Sequence, residues 1–283
     1  MSINIIEKRL REYDCKNLLE EENALKEITQ EIILMSLARA DFFKVAEFHG
    51  GTALRILHGL ERFSEDLDFA LLKSNANFSF LDYLNRINEE LKIYGYDIEI
   101  QDRSKIGRAV QKVFLNNRSI GKILTFQPPL PDYVRKKIRI KLEIDINPPA
   151  GAETELQYVD FPLPFAVRAK DLPSSFAGKL HAILCRPYLK GRDWFDFLWY
   201  VRHKIQPNFI LLQNALDQNG PWQKQQVLID KQWLLMQLKN MIQTINWHQA
   251  KEEIQNFIKP HVKQSLDLWS TDYFLQRAEY LFQ

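Results

Sequence analysis

Cysteine is nearly missing. Cys15 and Cys185 are the two in 283 residues. They lie far apart and without metal-ligand spacing, which excludes a disulfide scaffold and a cysteine-based metal centre and fits a reduced, cytoplasmic protein. Long apolar runs are missing too: none approaches the length of a membrane span, so no membrane partner is expected. The opening stretch MSINIIEKRLREYD is charged, and its apolar runs are too short for a secretory signal. Repeats and low-complexity tracts are missing. So is an excess of either charge. Lys plus Arg number 38 against 36 Asp plus Glu, a formal charge of +2. A nucleic-acid site must therefore be a local basic patch. What is there is 46% apolar, enough for a packed core, in a length that suits one large domain or two ordinary ones.

Hydrophobic periodicity changes character near residue 170. Residues 17–43 read as one long helix. Asn17 can cap it, acidic residues fill its first turn, and Leu18, Leu25, Ile28, Ile32 and Leu37 recur at helical spacing. A short strand (KVAEFHG), a short helix (TALRILHGL) and a second strand (DLDFALL) follow. Residues 79–94 read as a helix, with Phe80, Leu84, Ile87 and Leu91 as its apolar positions. From Tyr96 to Arg168 strand character prevails, in YDIEIQD, AVQKVFLN, KILTFQ and KIRIKLEIDI. After Lys170 helices return and continue to the C-terminus. The expected fold is α+β: a mixed sheet with helices over residues 1–170, then a helical domain over 171–283. Trp194, Trp199, Trp222, Trp233, Trp247 and Trp269 are its core or groove residues.

Three clusters carry chemistry. In DLDF, alternate strand residues share a face, so Asp66 and Asp68 point one way while Leu67 and Phe69 point into the core. Two carboxylates that close repel unless a cation lies between them, and Mg²⁺, a hard ion, prefers oxygen ligands. Asp-x-Asp is common, and alone it reads as a solvated strand face. Gly50, Gly51 and Thr52 change the weighting. They stand at a strand-to-helix junction, where free backbone N–H groups and the helix dipole make an anion site. Arg55, Arg62 and Ser64 lie in the same stretch and can reach phosphates, although each taken alone reads as a surface residue.

The strand RKKIRIKLEIDI supplies the second cluster. Ile138, Ile140, Leu142, Ile144 and Ile146 form one face. Arg135, Lys137, Arg139, Lys141, Glu143 and Asp145 form the other, four cations leading to two acids. Glu143 and Asp145 are both candidates for a third carboxylate beside Asp66 and Asp68, and the pattern leaves the choice open. The bland alternative is an edge strand protected by charge. In the third cluster, Lys179, Ala182 and Arg186 share a helix face. Pro187 and Gly191 end that helix, and Arg192, Asp193 and Asp196 open the next. A hairpin stapled by ion pairs competes with function for Arg192 and Asp196. Lys179 suits a triphosphate as a point charge, and Asp193 suits a ligand or base.

With HGGTALRILHGLERFSEDLDF, IKLEIDINPP and KLHAILCRPYLKGRDWFDF in view, the chain resembles the AbiEii/AbiGii toxin family, within the DNA polymerase β-like nucleotidyltransferase superfamily. The resemblance spans roughly residues 45 to 200 and implies a nucleotidyltransferase sheet lobe followed by a helical lobe. It implies an enzyme that moves NMP from an NTP, with Mg²⁺, to an RNA acceptor, tRNA foremost. The expected setting is a toxin–antitoxin or phage-defence system, with a cognate antitoxin as partner. It assigns phosphate binding to Gly50, Gly51 and Thr52. Asp66 and Asp68 take the metal, Glu143 or Asp145 the third acidic position, Lys179 the nucleotide, and Asp193 the second essential aspartate. Many members carry Ser where Thr52 stands, which keeps the hydroxyl. The competing readings are a nucleotidyltransferase that modifies a small hydroxylated substrate and an inactive nucleotide-binding interaction module.

Overall fold

The computed structural model describes residues 2–102, 119–127, 137–225 and 227–283. The chain divides into two compact units. One comprises Met1–Gly59, Phe63–Pro148 and Leu156–Ala169; the other comprises Leu60–Arg62, Pro149–Glu155 and Lys170–Gln283. The helical unit thus takes two short segments from sequence that periodicity alone assigns to the sheet half.

The first unit begins with helices α1 (Ser2–Glu12) and α2 (Leu18–Arg39). Asn17 caps α2 as its sequence suggests: its side chain accepts from Glu20 N at 3.0 Å, and Glu20 Oε2 accepts in return from Lys16 N at 2.9 Å. The helix stops at Arg39, short of the expected 43. Asp41 takes left-handed backbone (φ 60°), and the turn at Phe42–Lys44 drives Phe42 and Phe43 into the core. Then come β1 (Ala46–His49), α3 (Gly50–His58), β2 (Asp66–Leu71), α4 (Leu81–Ile93), β3 (Asp97–Asp102), β4 (Ser119–Gln127), β5 (Ile138–Asp145), β6 (Thr154–Val159) and β7 (Phe165–Lys170). The strand expected in AVQKVFLN and the cation Arg135 lie outside the described residues.

Among the described residues the strands form one sheet in the order β3-β4-β5-β2-β1-β7-β6. It is mixed: β2 runs parallel to β5 and β1 parallel to β7, while β1–β2, β3–β4 and β4–β5 are antiparallel. The apolar face of β5 is buried at Ile138, Ile140, Leu142 and Ile144, and it packs with Leu67, Phe69, Phe48 and the apolar positions of α2 and α4. Burying each such side chain contributes roughly 2 kcal/mol.

Buried almost all round, α2 must satisfy polar groups inside. Tyr13 donates to Glu27 Oε1 at 2.9 Å, Arg55 Nε to Glu27 Oε2 at 2.8 Å, and Arg9 to Glu31 Oε1 at 3.0 Å. Burial pushes the Glu31 carboxyl up to about 7, against the pull of Arg9.

The second unit holds α5 (Leu172–Cys185), α6 (Gly191–Arg202), α7 (Phe209–Gln218), α8 (Lys231–Thr244), α9 (Trp247–Ile254), α10 (Pro260–Lys263) and α11 (Thr271–Tyr280). Side chains of Asp171, Asn208, Asp230, Asn246 and Ser270 cap five of them. Trp194, Trp247 and Trp269 are buried around Phe274, with Trp247 stacked on it at 4.0 Å. Trp222 and Trp233 meet edge to face at 5.1 Å and stay half-buried. Among the described residues no helix is long and apolar enough to cross a membrane.

Candidate active site

The glycine turn and the aspartate strand are one object. β1 and β2 pair antiparallel with His49 opposite Asp68, so the chain leaves β1 beside the aspartates it is about to supply. Gly50 has φ +82°, a conformation that favours glycine. It has a second reason to lack a side chain. A Cβ there would overlap the Asp68 carboxylate and sit 3.1 Å from Asp68 Cβ. The Asp68 carboxylate therefore rests against the backbone at the N-terminus of α3.

Thr52 has another task than the one its hydroxyl suggests. It is fully buried, and its Oγ1 donates to the backbone carbonyl of Asp66. That bond ties the first turn of α3 to the first residue of β2, so Thr52 positions Asp66 rather than facing a phosphate. The backbone carbonyl of Ser64 accepts from Gln30 Nε2 at 3.1 Å, which fixes the approach to β2. Leu67 and Phe69 are buried, while Asp66 and Asp68 are half-exposed on the opposite face.

Parallel pairing with β5 settles which acid lies level with them. Asp66 is opposite Lys141, Asp68 is opposite Glu143, and Ala70 is opposite Asp145. Glu143 thus stands beside Asp68. Asp145 lies one pair further along, where its Oδ1 accepts from Asn147 N at 2.9 Å in the turn after the strand. Lys141 Nζ is 2.7 Å from Glu143 Oε2, so a cation already sits on this face. Among the described residues no three His, Cys, Asp or Glu side chains close into a ready cage. The donor set is all carboxylate, which suits a hard divalent ion. An anion held at Gly50–Gly51 would also touch Asp68, and such a contact needs positive charge.

Arg62, Lys179 and Asp193 belong to the second unit. Arg62 is buried, with Nε and Nη2 each 2.6 Å from an Asp196 carboxylate oxygen. Its expected place beside the phosphates is therefore corrected: the guanidinium is spent on a bidentate buried pair. Lys179 Nζ lies 2.8 Å from Asp193 Oδ1 and 2.7 Å from Asp196 Oδ2. Arg186 closes the chain on Asp193 Oδ2. Charges alternate from Arg62 to Asp196, Lys179, Asp193 and Arg186. Burial alone would raise both aspartates. Lys179 and Arg186 overcome this at Asp193, and Arg62 and Lys179 at Asp196, so both carboxyls fall below the usual range. Burial would likewise lower Lys179, but its two aspartates outweigh it and the ammonium is held above its ordinary value. Arg192 pairs with Glu253 at 2.9 Å. The stapled hairpin is present, and Lys179 and Asp193 are members of it.

A sequence profile described as the nucleotidyl transferase AbiEii toxin, type IV toxin–antitoxin system, matches residues 32–277. Among solved structures, a protein described as a candidate nucleotidyltransferase from H. pylori superposes with a TM-score of 0.52 at 17% identity, over 90% of each chain. JHP933 from Helicobacter pylori superposes with a TM-score of 0.50 at 18% identity, over 92% of this chain and 89% of that one. At these identities the likeness is one of fold. No curated protein matches.

Proposed function

Since the chain belongs to the AbiEii nucleotidyl transferase toxin family of type IV toxin–antitoxin systems, we propose that it transfers NMP from an NTP to an RNA acceptor, with tRNA as the acceptor and Mg²⁺ as the metal. Phage defence is the setting this activity serves. The observation that carries the reading is the packing of Gly50 against the Asp68 carboxylate, with Glu143 in register beside it. That arrangement sets an anion-binding turn against a carboxylate face, the pairing that a metal-bound triphosphate requires.

Asp66, Asp68 and Glu143 would hold the ion, and bound there it would neutralise charge on the triphosphate. Gly50 and Gly51 present backbone N–H groups to phosphate oxygens. Thr52 holds Asp66 in place. Lys141 partly neutralises Glu143 until nucleotide arrives. Lys179 and Asp193 remain the residues we assign to nucleotide binding and turnover.

The test is incubation with each α-labelled NTP, Mg²⁺ and total RNA. Label should enter tRNA with the unaltered protein and not with Asp68→Asn. Label entering a small metabolite but no RNA would move the acceptor to a small hydroxylated substrate. No label in any product would overturn the proposal.

A further inference from the structure

His49 ends β1 and precedes the first turn of α3, with extended backbone (φ −150°, ψ −167°). Its side chain therefore follows the alternation of the strand. Ala46 and Phe48 enter the core, and Glu47 and His49 take the opposite face. The antiparallel register sets His49 opposite Asp68, and the parallel register sets Asp68 beside Glu143. One row across three strands reads His49, Asp68, Glu143. Directly opposed residues on paired antiparallel strands have Cβ atoms about 5 Å apart, so the His49 and Asp68 side chains leave the sheet from neighbouring positions. Gly50, the next residue, has its backbone against that same carboxylate. His49 is half-buried, and its side chain does not cap α3.

The corner formed by His49, Gly50 and Asp68 thus combines three things: backbone N–H groups at a helix start, a carboxylate, and an imidazole on the strand side. A phosphate in this corner meets the repelling Asp68 carboxylate and needs donors from more than the helix turn. We propose that His49 donates a ring N–H to a phosphate oxygen of the nucleoside triphosphate at the Gly50–Gly51 turn. This deepens the proposed function and rests on it. His49 acts as a binding residue, and no bond is made or broken at its ring.

The experiment compares the unaltered full-length protein with His49→Ala and His49→Gln. Affinity for non-hydrolysable analogues of the four NTPs is measured by calorimetry with Mg²⁺, alongside melting temperature and steady-state transfer. A hydrogen bond to a charged group predicts roughly ten-fold or greater weakening in the alanine variant. KM should rise while kcat stays near the unaltered value, and glutamine, which keeps an N–H at similar reach, should recover most of the loss. Unchanged affinity in His49→Ala would overturn the proposal. So would equal losses in both variants with a falling melting temperature, which would make His49 a packing partner of Asp68. If the unaltered protein binds NTP but labels no RNA, the acceptor reading fails while the binding comparison still decides His49. If it binds no NTP, both fail.

Discussion

At the scale of single residues, the same chemistry means different things in different surroundings. Gly50→Ala introduces a Cβ into the Asp68 carboxylate at a φ of +82°. We expect transfer to fall by a hundred-fold or so, the size of effect that loss of a positioned charge-stabilising group produces. Circular dichroism should show the fold retained. Arg62→Ala leaves Asp196 buried without its bidentate partner, and breaking a buried pair from one side costs about 3–5 kcal/mol. Urea denaturation should show a loss of that size, and loss of activity without it would return Arg62 to the nucleotide site. Asp193→Asn separates two roles. A large fall in melting temperature, with activity lost only in proportion, would make Asp193 a structural partner of Lys179 and Arg186; lost turnover with retained nucleotide binding is the outcome we expect.

At the scale of elements, much was legible and the reasons are local. The Asn17 cap, the alternation in β5 and the shared face of Asp66 and Asp68 all follow from spacings of two to four residues. So does the Lys179 face of α5. The rest depends on pairing between distant segments. Nothing near Arg62 in the sequence points to Asp196, 134 positions away. The choice between Glu143 and Asp145 waits on the β2–β5 register. Thr52 has the right group for a phosphate, but its direction is set by how α3 docks on β2. His49 has no pattern around it at all.

Elements also carry the pH response. Asp193 and Asp196 have folded values below their unfolded ones. Their contribution is present above the ordinary carboxylate range and is lost as pH falls through the folded values. Lys179 has the opposite sign, so its contribution holds below its ordinary value and is lost at more alkaline pH. Glu31 on α2 is raised to about 7 from 4.5. Its burial therefore costs stability progressively as pH climbs through that window. Glu31→Gln should remove that slope and stabilise the protein by on the order of 1 kcal/mol at pH 8, as read by denaturation at several pH values. Just ahead of β5, Lys137 is exposed 3.2 Å from Glu99, and on β5 Arg139 is exposed on the face that carries Glu143. Under the proposed function, reversing both charges should weaken RNA binding at every sequence and flatten its salt dependence by about two counterions.

At the scale of the whole molecule, the two units are not consecutive in the chain. The sequence pattern expects a single change near residue 170, whereas the helical unit also owns Leu60–Arg62 and Pro149–Glu155. A fragment spanning 171–283 would lack both segments. Asp196 would lose Arg62, and the Gly151 carbonyl that accepts from Asn208 Nδ2 at 2.8 Å would be gone. We expect that fragment to melt without a cooperative transition, while adding residues 149–170 should recover part of it and the full chain all of it.

The excursion at Leu60–Arg62 also bears on descent. Three residues leave the first unit, lock into the second and return just ahead of the aspartates on β2. No single exchange point in the gene separates one unit from the other with its own residues intact. Recombination that mixes parts between relatives would strand Arg62 or Asp196 with a foreign counterpart. The pair should thus travel as a linked inheritance, and the units should diversify together rather than as interchangeable cassettes.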